Sequence, residues 1–175
     1  MPDVIAYLAC RMSGRSKMAM IKEAKEAVET LNKYGITCIS PVLEEKVDNT
    51  PGLLTGFTEE ELRAEWVKDK EFIKKAHIVF DLSAASPIRS EGAVHEFLYA
   101  RYALFKPVVR LFPKGLGPSI TRLENAVIVR TLDEAGVEIV TRWGTRIQRI
   151  MWRIRERIFW KWLKLLRLQF FGLFR

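Results

Sequence analysis

Short apolar runs alternate along this chain with longer stretches whose apolar residues recur every three or four positions, and this alternation most limits the fold. The runs are Val4 to Ala9, Ile36 to Ser40, His77 to Leu82, Pro107 to Phe112 and Ala126 to Arg130, rich in β-branched residues and bounded by turn formers. Between the first two, Met20, Ile21, Ala24, Ala27, Val28, Leu31 and Tyr34 trace one face of a helix over Ser16 to Tyr34, and Gly35 stands at the C′ position. A second helix opens with the capping-box pattern Thr58-Glu59-Glu60-Glu61 and carries Leu62, Trp66, Ile73 and Ala76 as its buried stripe, with Asp69 inside it. Gly92 to Phe105 reads as a third helix. Strands alternating with helices in this way predict an α/β fold with an open, mostly parallel five-stranded sheet and helices on both faces. Residues 41–56, with two Pro and two Gly, read as a long irregular loop, and 83–91 as a polar one. Thr131-Leu132-Asp133-Glu134 is another capping-box pattern, predicting a last helix that runs on into the C-terminal segment despite Gly136 and Gly144.

A chain of 175 residues that is 49% apolar and 29% charged can bury one core, which excludes collagenous, low-complexity and wholly disordered classes. Its charge falls into two regions. The total is +8, from 29 basic and 21 acidic residues, yet residues 142–175 hold ten Lys or Arg and the single acid Glu156. Residues 1–141 therefore read as a nearly neutral domain, and 142–175 as a basic tail. Cys10 and Cys38 lie in different expected strands without a C-x-x-C pattern, so neither a disulfide framework nor a zinc site is expected, and a reducing cytoplasm fits best. No signal peptide is expected from an N-terminus without a basic region, no uncharged apolar window suits a membrane span, and no internal repeat is found.

In open parallel sheets, ligands bind beyond the carboxyl ends of the strands. That edge should gather the loops at 10–15, 41–56, 83–91 and 114–119, with Tyr7, Asp81, Ser90 and Glu96 directed toward it. Carboxylates converging on one crevice suit glycosidic chemistry, one attacking the anomeric carbon and another giving a proton to the leaving group.

Three segments, Tyr7-Leu8-Ala9-Cys10-Arg11-Met12-Ser13-Gly14-Arg15, Asp69-Lys70-Glu71-Phe72-Ile73-Lys74-Lys75-Ala76-His77 and Ser90-Glu91-Gly92-Ala93-Val94-His95-Glu96-Phe97, resemble in order and spacing the nucleoside 2-deoxyribosyltransferase-like proteins. That family includes the 2′-deoxynucleoside 5′-phosphate N-hydrolases. The resemblance spans roughly residues 4–141 and implies a flavodoxin/Rossmann-like fold. It implies Glu96 as the nucleophile on C1′ of the sugar, Tyr7 as the residue orienting that carboxylate, and Asp69 as the acid acting at the base. It implies Ser90, with Gly92 at the following helix start, as a 5′-phosphate site, since family members specific for nucleotides tend to have Ser at this position. Arg11, Ser13 and Arg15 are candidates for the same phosphate, and Asp81 for the sugar hydroxyls. No cofactor or metal is implied; His77 and His95 lack ligand spacing and read as structural.

The expected function is cleavage of the N-glycosidic bond of a (deoxy)nucleoside 5′-monophosphate, with water or another base as acceptor. The alternatives are a non-catalytic nucleotide sensor on this fold and a membrane-surface adaptor. In the tail, Arg142, Arg146, Arg149, Arg153, Arg157, Lys161 and Lys164 follow one another by three or four. Ile147, Ile150, Met151, Ile154, Ile158, Trp162, Leu165 and Leu166 do the same on another face. With Trp143, Trp152 and Trp160, this basic amphipathic helix reads first as an anionic membrane-surface element. Docking on the domain or on a second subunit is the next reading, nucleic acid the least favoured, and a homo-oligomer is expected.

Overall fold

The computed structural model describes the backbone of residues 4–10, 16–44, 58–82, 91–112 and 126–172, and their side chains except at 17, 62, 91–93 and 163–172. Five strands form one sheet: β1 (Val4–Ala9), β2 (Ile36–Ile39), β3 (Ile78–Asp81), β4 (Val108–Leu111) and β5 (Val127–Val129). Every pairing is parallel and the order is β2-β1-β3-β4-β5. The order reverses between β1 and β3, which opens a crevice at their carboxyl ends.

Alternation along β1 divides the core into two layers. Val4, Ala6 and Leu8 join Ala24, Ala27 and Leu31 of α1 (Lys17–Lys33) and Ala135 and Ile139 of α5 (Leu132–Trp143) on one face. Tyr7 and Ala9 join Ile73 of α3 (Glu59–Lys75) and Phe97 of α4 (Glu91–Leu98) on the other. Tyr7 is thereby committed to the layer that holds Asp69 and Glu96.

Local chemistry sets the helix ends. The Ser16 hydroxyl accepts from Ala19 N–H, and Gly35 takes a φ of 73° just beyond α1, a backbone conformation costly for other residues. At Thr58 both halves of the capping box form. The far end of α3 is closed by Lys106, whose Nζ donates to the carbonyls of Ile73 (2.6 Å), Lys74 (2.7 Å) and Ala76. Burial, with a contribution from Arg153, pushes its pKa down to about 8. Close packing of α5 on α1 requires Gly136, because a Cβ there would lie 2.3 Å from the Tyr34 ring.

Three expectations are corrected. The segment after β2 begins as a helical turn, α2 (Pro41–Glu44), because the Ser40 carbonyl accepts from Leu43 and Glu44 N–H and proline suits a first helical position; residues 45–56 lie outside the described residues. The helix expected over 92–105 begins at Glu91, is α-helical to Leu98, widens into a π-turn over Tyr99–Ala103, and stops at Phe105, whose φ is 53°. That wider turn buries both Ala100 and Arg101.

The last helix does not run on unbroken. Gly144 and Thr145 interrupt it, and α6 (Arg146–Gly172) starts afresh. Thr145 and Gln148 form the reciprocal bonds of a new capping box: Gln148 N–H donates to the Thr145 hydroxyl at 3.2 Å, and Thr145 N–H to Gln148 Oε1 at 2.9 Å. The core extends past residue 141, since Trp143 is buried in it and meets Trp152 edge to face at 5.4 Å. Glu156 is buried against Arg101 at 2.7 Å, and Trp160 packs on Tyr102. Three of the four tail tryptophans thus contact the domain. Helices in such a fold run back toward the amino edge of the sheet, so α6, bridging the ends of α5 and α4, lies on the side away from the crevice.

Candidate active site

The crevice at the carboxyl end of β1 is lined by Tyr7, Leu8, Cys10, Pro41, Val42, Glu65, Asp69 and Glu96. Three elements deliver the polar groups. Tyr7 comes from the central strand, Asp69 from the buried stripe of α3 one turn before Ile73, and Glu96 from α4 beside the buried Phe97. The Tyr7 hydroxyl donates to Asp69 Oδ1 at 3.2 Å. A phenol has one proton to give; here it goes to Asp69, while Glu96 lies close enough for the same hydroxyl to favour its ionised form. Tyr7 therefore stands between two carboxylates instead of serving Glu96 alone.

The electrostatics follow from crowding acids in a dry site. Burial raises Glu96 well above its ordinary value, and the nearby Asp69 raises it further; Tyr7 acts in the opposite sense, and Asp81 adds a smaller upward push. Glu96 Oε2 is buried without a hydrogen-bond partner among the described residues. Asp69 is also raised, by burial first, with the Tyr7 hydrogen bond opposing. Tyr7 is pushed far above its ordinary range, by burial and then by the charges of Glu96 and Asp69. Two carboxyls so placed oppose each other's ionisation, so the pair shares a proton over a range that starts above the usual carboxylate values. A shared proton between a potential nucleophile and a potential acid is the arrangement that glycosidic chemistry uses.

Asp81 sits at the end of β3, but Arg110 of β4, its register partner, takes its Oδ2 at 3.2 Å. The Arg110 guanidinium also lies 4.1 Å from the centre of the Phe97 ring. Asp81 is thus engaged in an internal ion pair next to the site, and it is not among the residues lining the crevice. Gly92 is the second residue of α4. Arg11, Ser13, Arg15 and Ser90 lie outside the described residues. His77 is structural: its Nδ1 accepts from Ile5 N–H at 3.0 Å. His95 is exposed, with its ring 6.4 Å from Trp66.

Two residues escaped the reading of the sequence. Glu65 precedes Asp69 by one helical turn and so shares its face, which the i to i+4 spacing could have indicated. Arg110 falls within the apolar run Val108-Val109-Arg110-Leu111, and an arginine in a buried strand is itself a sign of a buried partner.

No family model matches the sequence, and no curated protein matches it. Solved structures do resemble it. A conserved protein from Enterococcus faecalis superposes with a TM-score of 0.58 at 15% identity, covering 80% of this chain and 99% of that one. A 2-deoxyribosyltransferase from Bacillus psychrosaccharolyticus, described as a biocatalyst for nucleoside synthesis, superposes with a TM-score of 0.57 at 21% identity, covering 75% of this chain and 90% of that one. The chain, with its parallel order β2-β1-β3-β4-β5 and its crevice at the carboxyl end of β1, thus has a nucleoside 2-deoxyribosyltransferase-like fold.

Proposed function

We propose that the chain is an enzyme that cleaves the N-glycosidic bond of a (deoxy)nucleoside 5′-monophosphate, Glu96 attacking C1′ to form a glycosyl ester that water or another base then resolves. The observation that carries this reading is the convergence of Tyr7, Asp69 and Glu96 on one crevice, with the Tyr7 hydroxyl on Asp69 and both acids raised. In the first step the C1′–N bond breaks as the Glu96 carboxylate bonds to C1′, and the departing base takes a proton from Asp69. In the second, the acceptor bonds to C1′ as the C1′–O bond to Glu96 breaks, giving its proton to Asp69 and leaving Glu96 ionised as at the start. Reaction requires the shared proton to move to Asp69 with Glu96 ionised, the less populated arrangement of a pair in which Glu96 is raised the more and Tyr7 donates to Asp69, and Tyr7 holds the two acids in a fixed relation.

The phosphate preference rests on the sequence around the site. Ser90 lies six residues before Glu96, just ahead of the N-terminus of α4, where N–H groups favour an anion and a carboxylate would repel it. Arg11 and Arg15 follow β1. A charge-assisted phosphate contact contributes on the order of 1.5 to 3 kcal/mol, so nucleoside monophosphates should react about tenfold to a hundredfold more efficiently than the matching nucleosides. The test is incubation with paired panels of the two classes, with free base measured by chromatography. Equal efficiency would remove the phosphate site from the proposal. Saturable nucleotide binding without release of any base would replace the enzyme with a nucleotide sensor.

A further inference from the structure

We propose that the outward face of α6 docks on an anionic lipid surface, holding the domain with its crevice turned away from the membrane. Trp152, Glu156 and Trp160 mark the side of α6 that meets the domain. At 3.6 residues per turn, Ile147, Met151, Ile154, Ile158 and Trp162 fall in one arc centred about 160° round from Glu156. They are exposed, Ile147 at 73%, Met151 at 60%, Ile158 at 62% and Trp162 at 57%. The helix is therefore apolar on two sides, and the domain covers one of them.

Charge identifies the occupant. Arg146, Arg153, Arg157 and Lys161, all exposed, line one shoulder of the arc, and Arg155 stands on the other. Glu156 is the only acid in residues 142–175, and it is buried against Arg101. A second copy of this face would set cations against cations with no carboxylate between them. Nucleic acid would match the cations but leave the isoleucines in water. An anionic bilayer surface accepts both, the stripe entering the acyl boundary while the cations meet headgroups. No described helix is long and apolar enough to cross a membrane, so α6 would lie in the surface plane along its length of about 40 Å. The position of α6 at the amino edge leaves the crevice at the carboxyl edge open to the aqueous side. This inference does not depend on the glycosidic reading.

The test is co-sedimentation of the full chain with vesicles of phosphatidylcholine alone or mixed with phosphatidylglycerol. Two doubly substituted forms accompany it, Met151→Glu with Ile158→Glu and Arg146→Glu with Arg157→Glu. All four positions are exposed, and unchanged thermal unfolding checks that both forms fold. Binding to the anionic vesicles, weak binding to the neutral ones, and a fall of about tenfold or more in each variant are expected. Equal binding to both vesicles, or binding indifferent to Met151→Glu with Ile158→Glu, would overturn the proposal. So would absence of vesicle binding, whether accompanied by a dimer that the apolar substitutions dissolve or by nucleic-acid binding that only the arginine substitutions weaken.

Discussion

If Glu96 is the nucleophile proposed above, its replacement by glutamine should lower base release at least about a thousandfold, equivalent to about 4 kcal/mol of transition-state stabilisation, because an amide would not form the glycosyl ester. A variant retaining more than about a tenth of the activity would show that Glu96 is not the nucleophile. The same substitution should stabilise the fold at neutral pH. Glu96 has a folded pKa raised above its unfolded one, so its relative contribution to stability is fully present below the unfolded value, about 4.3, and is lost as pH rises through the folded value. Glutamine avoids that loss, which is about 1.4 kcal/mol for every tenfold by which folding tightens the hold of this carboxyl on its proton. Thermal unfolding of Glu96→Gln and the parent chain should therefore diverge as the pH rises and converge below about pH 4. Melting curves that keep a constant separation across this range would mean that Glu96 does not titrate as its surroundings require.

Glu156→Ala should destabilise the chain by roughly 3 to 5 kcal/mol, since it leaves the guanidinium of Arg101, only 1% exposed, buried without its carboxylate. For a chain of this size that is a fall in melting temperature of about 6 to 20 °C. The double replacement Arg101→Met with Glu156→Leu should recover most of the loss, because the large cost arises from the uncompensated charge more than from absence of the pair. Urea unfolding of the three forms measures this directly. A loss under about 1 kcal/mol in Glu156→Ala would indicate that α6 detaches easily in solution. The Arg101 guanidinium also lies 5.7 Å from the centre of the Trp152 ring, so the pair fixes the helix at two adjacent turns.

The legible parts of this fold are those where one local rule suffices. The bounds of β1 and the ends of α1 follow from an apolar run, a Ser cap and a glycine, and all three are local. Thr145-x-x-Gln148 was equally local, a third capping-box pattern hidden by the longer apolar period that continues through it. What escaped was tertiary. The π-turn that buries Arg101 makes sense only once Glu156 lies opposite, 55 residues along the chain. The face by which α6 meets the domain was hidden for the same reason: a line of Trp152, Glu156 and Trp160 faces in, while the longer apolar stripe faces out. In the site, Tyr7, Asp69 and Glu96 could be brought together from strand alternation and helical stripe along with the resemblance. The engagement of Asp81 by Arg110 depends on the register of β3 with β4, which no spacing along the chain encodes.

The ion pair between Arg101 and Glu156 also sets an order on folding during synthesis. At about 5 to 20 residues per second, the 55 residues between them take roughly 3 to 11 seconds to be made. Until Glu156 has been made and has emerged, the turn after α4 lacks the carboxylate with which it enters a dry interior. Released chains ending at Trp143 should consequently be cut by protease near Tyr102 far faster than the full chain, and equal protection would show that the turn closes without α6. The carboxylate that completes the interior thus arrives 55 residues after the arginine it meets, and any termination before Glu156 leaves a nascent domain with a charged gap in its side for quality control to find.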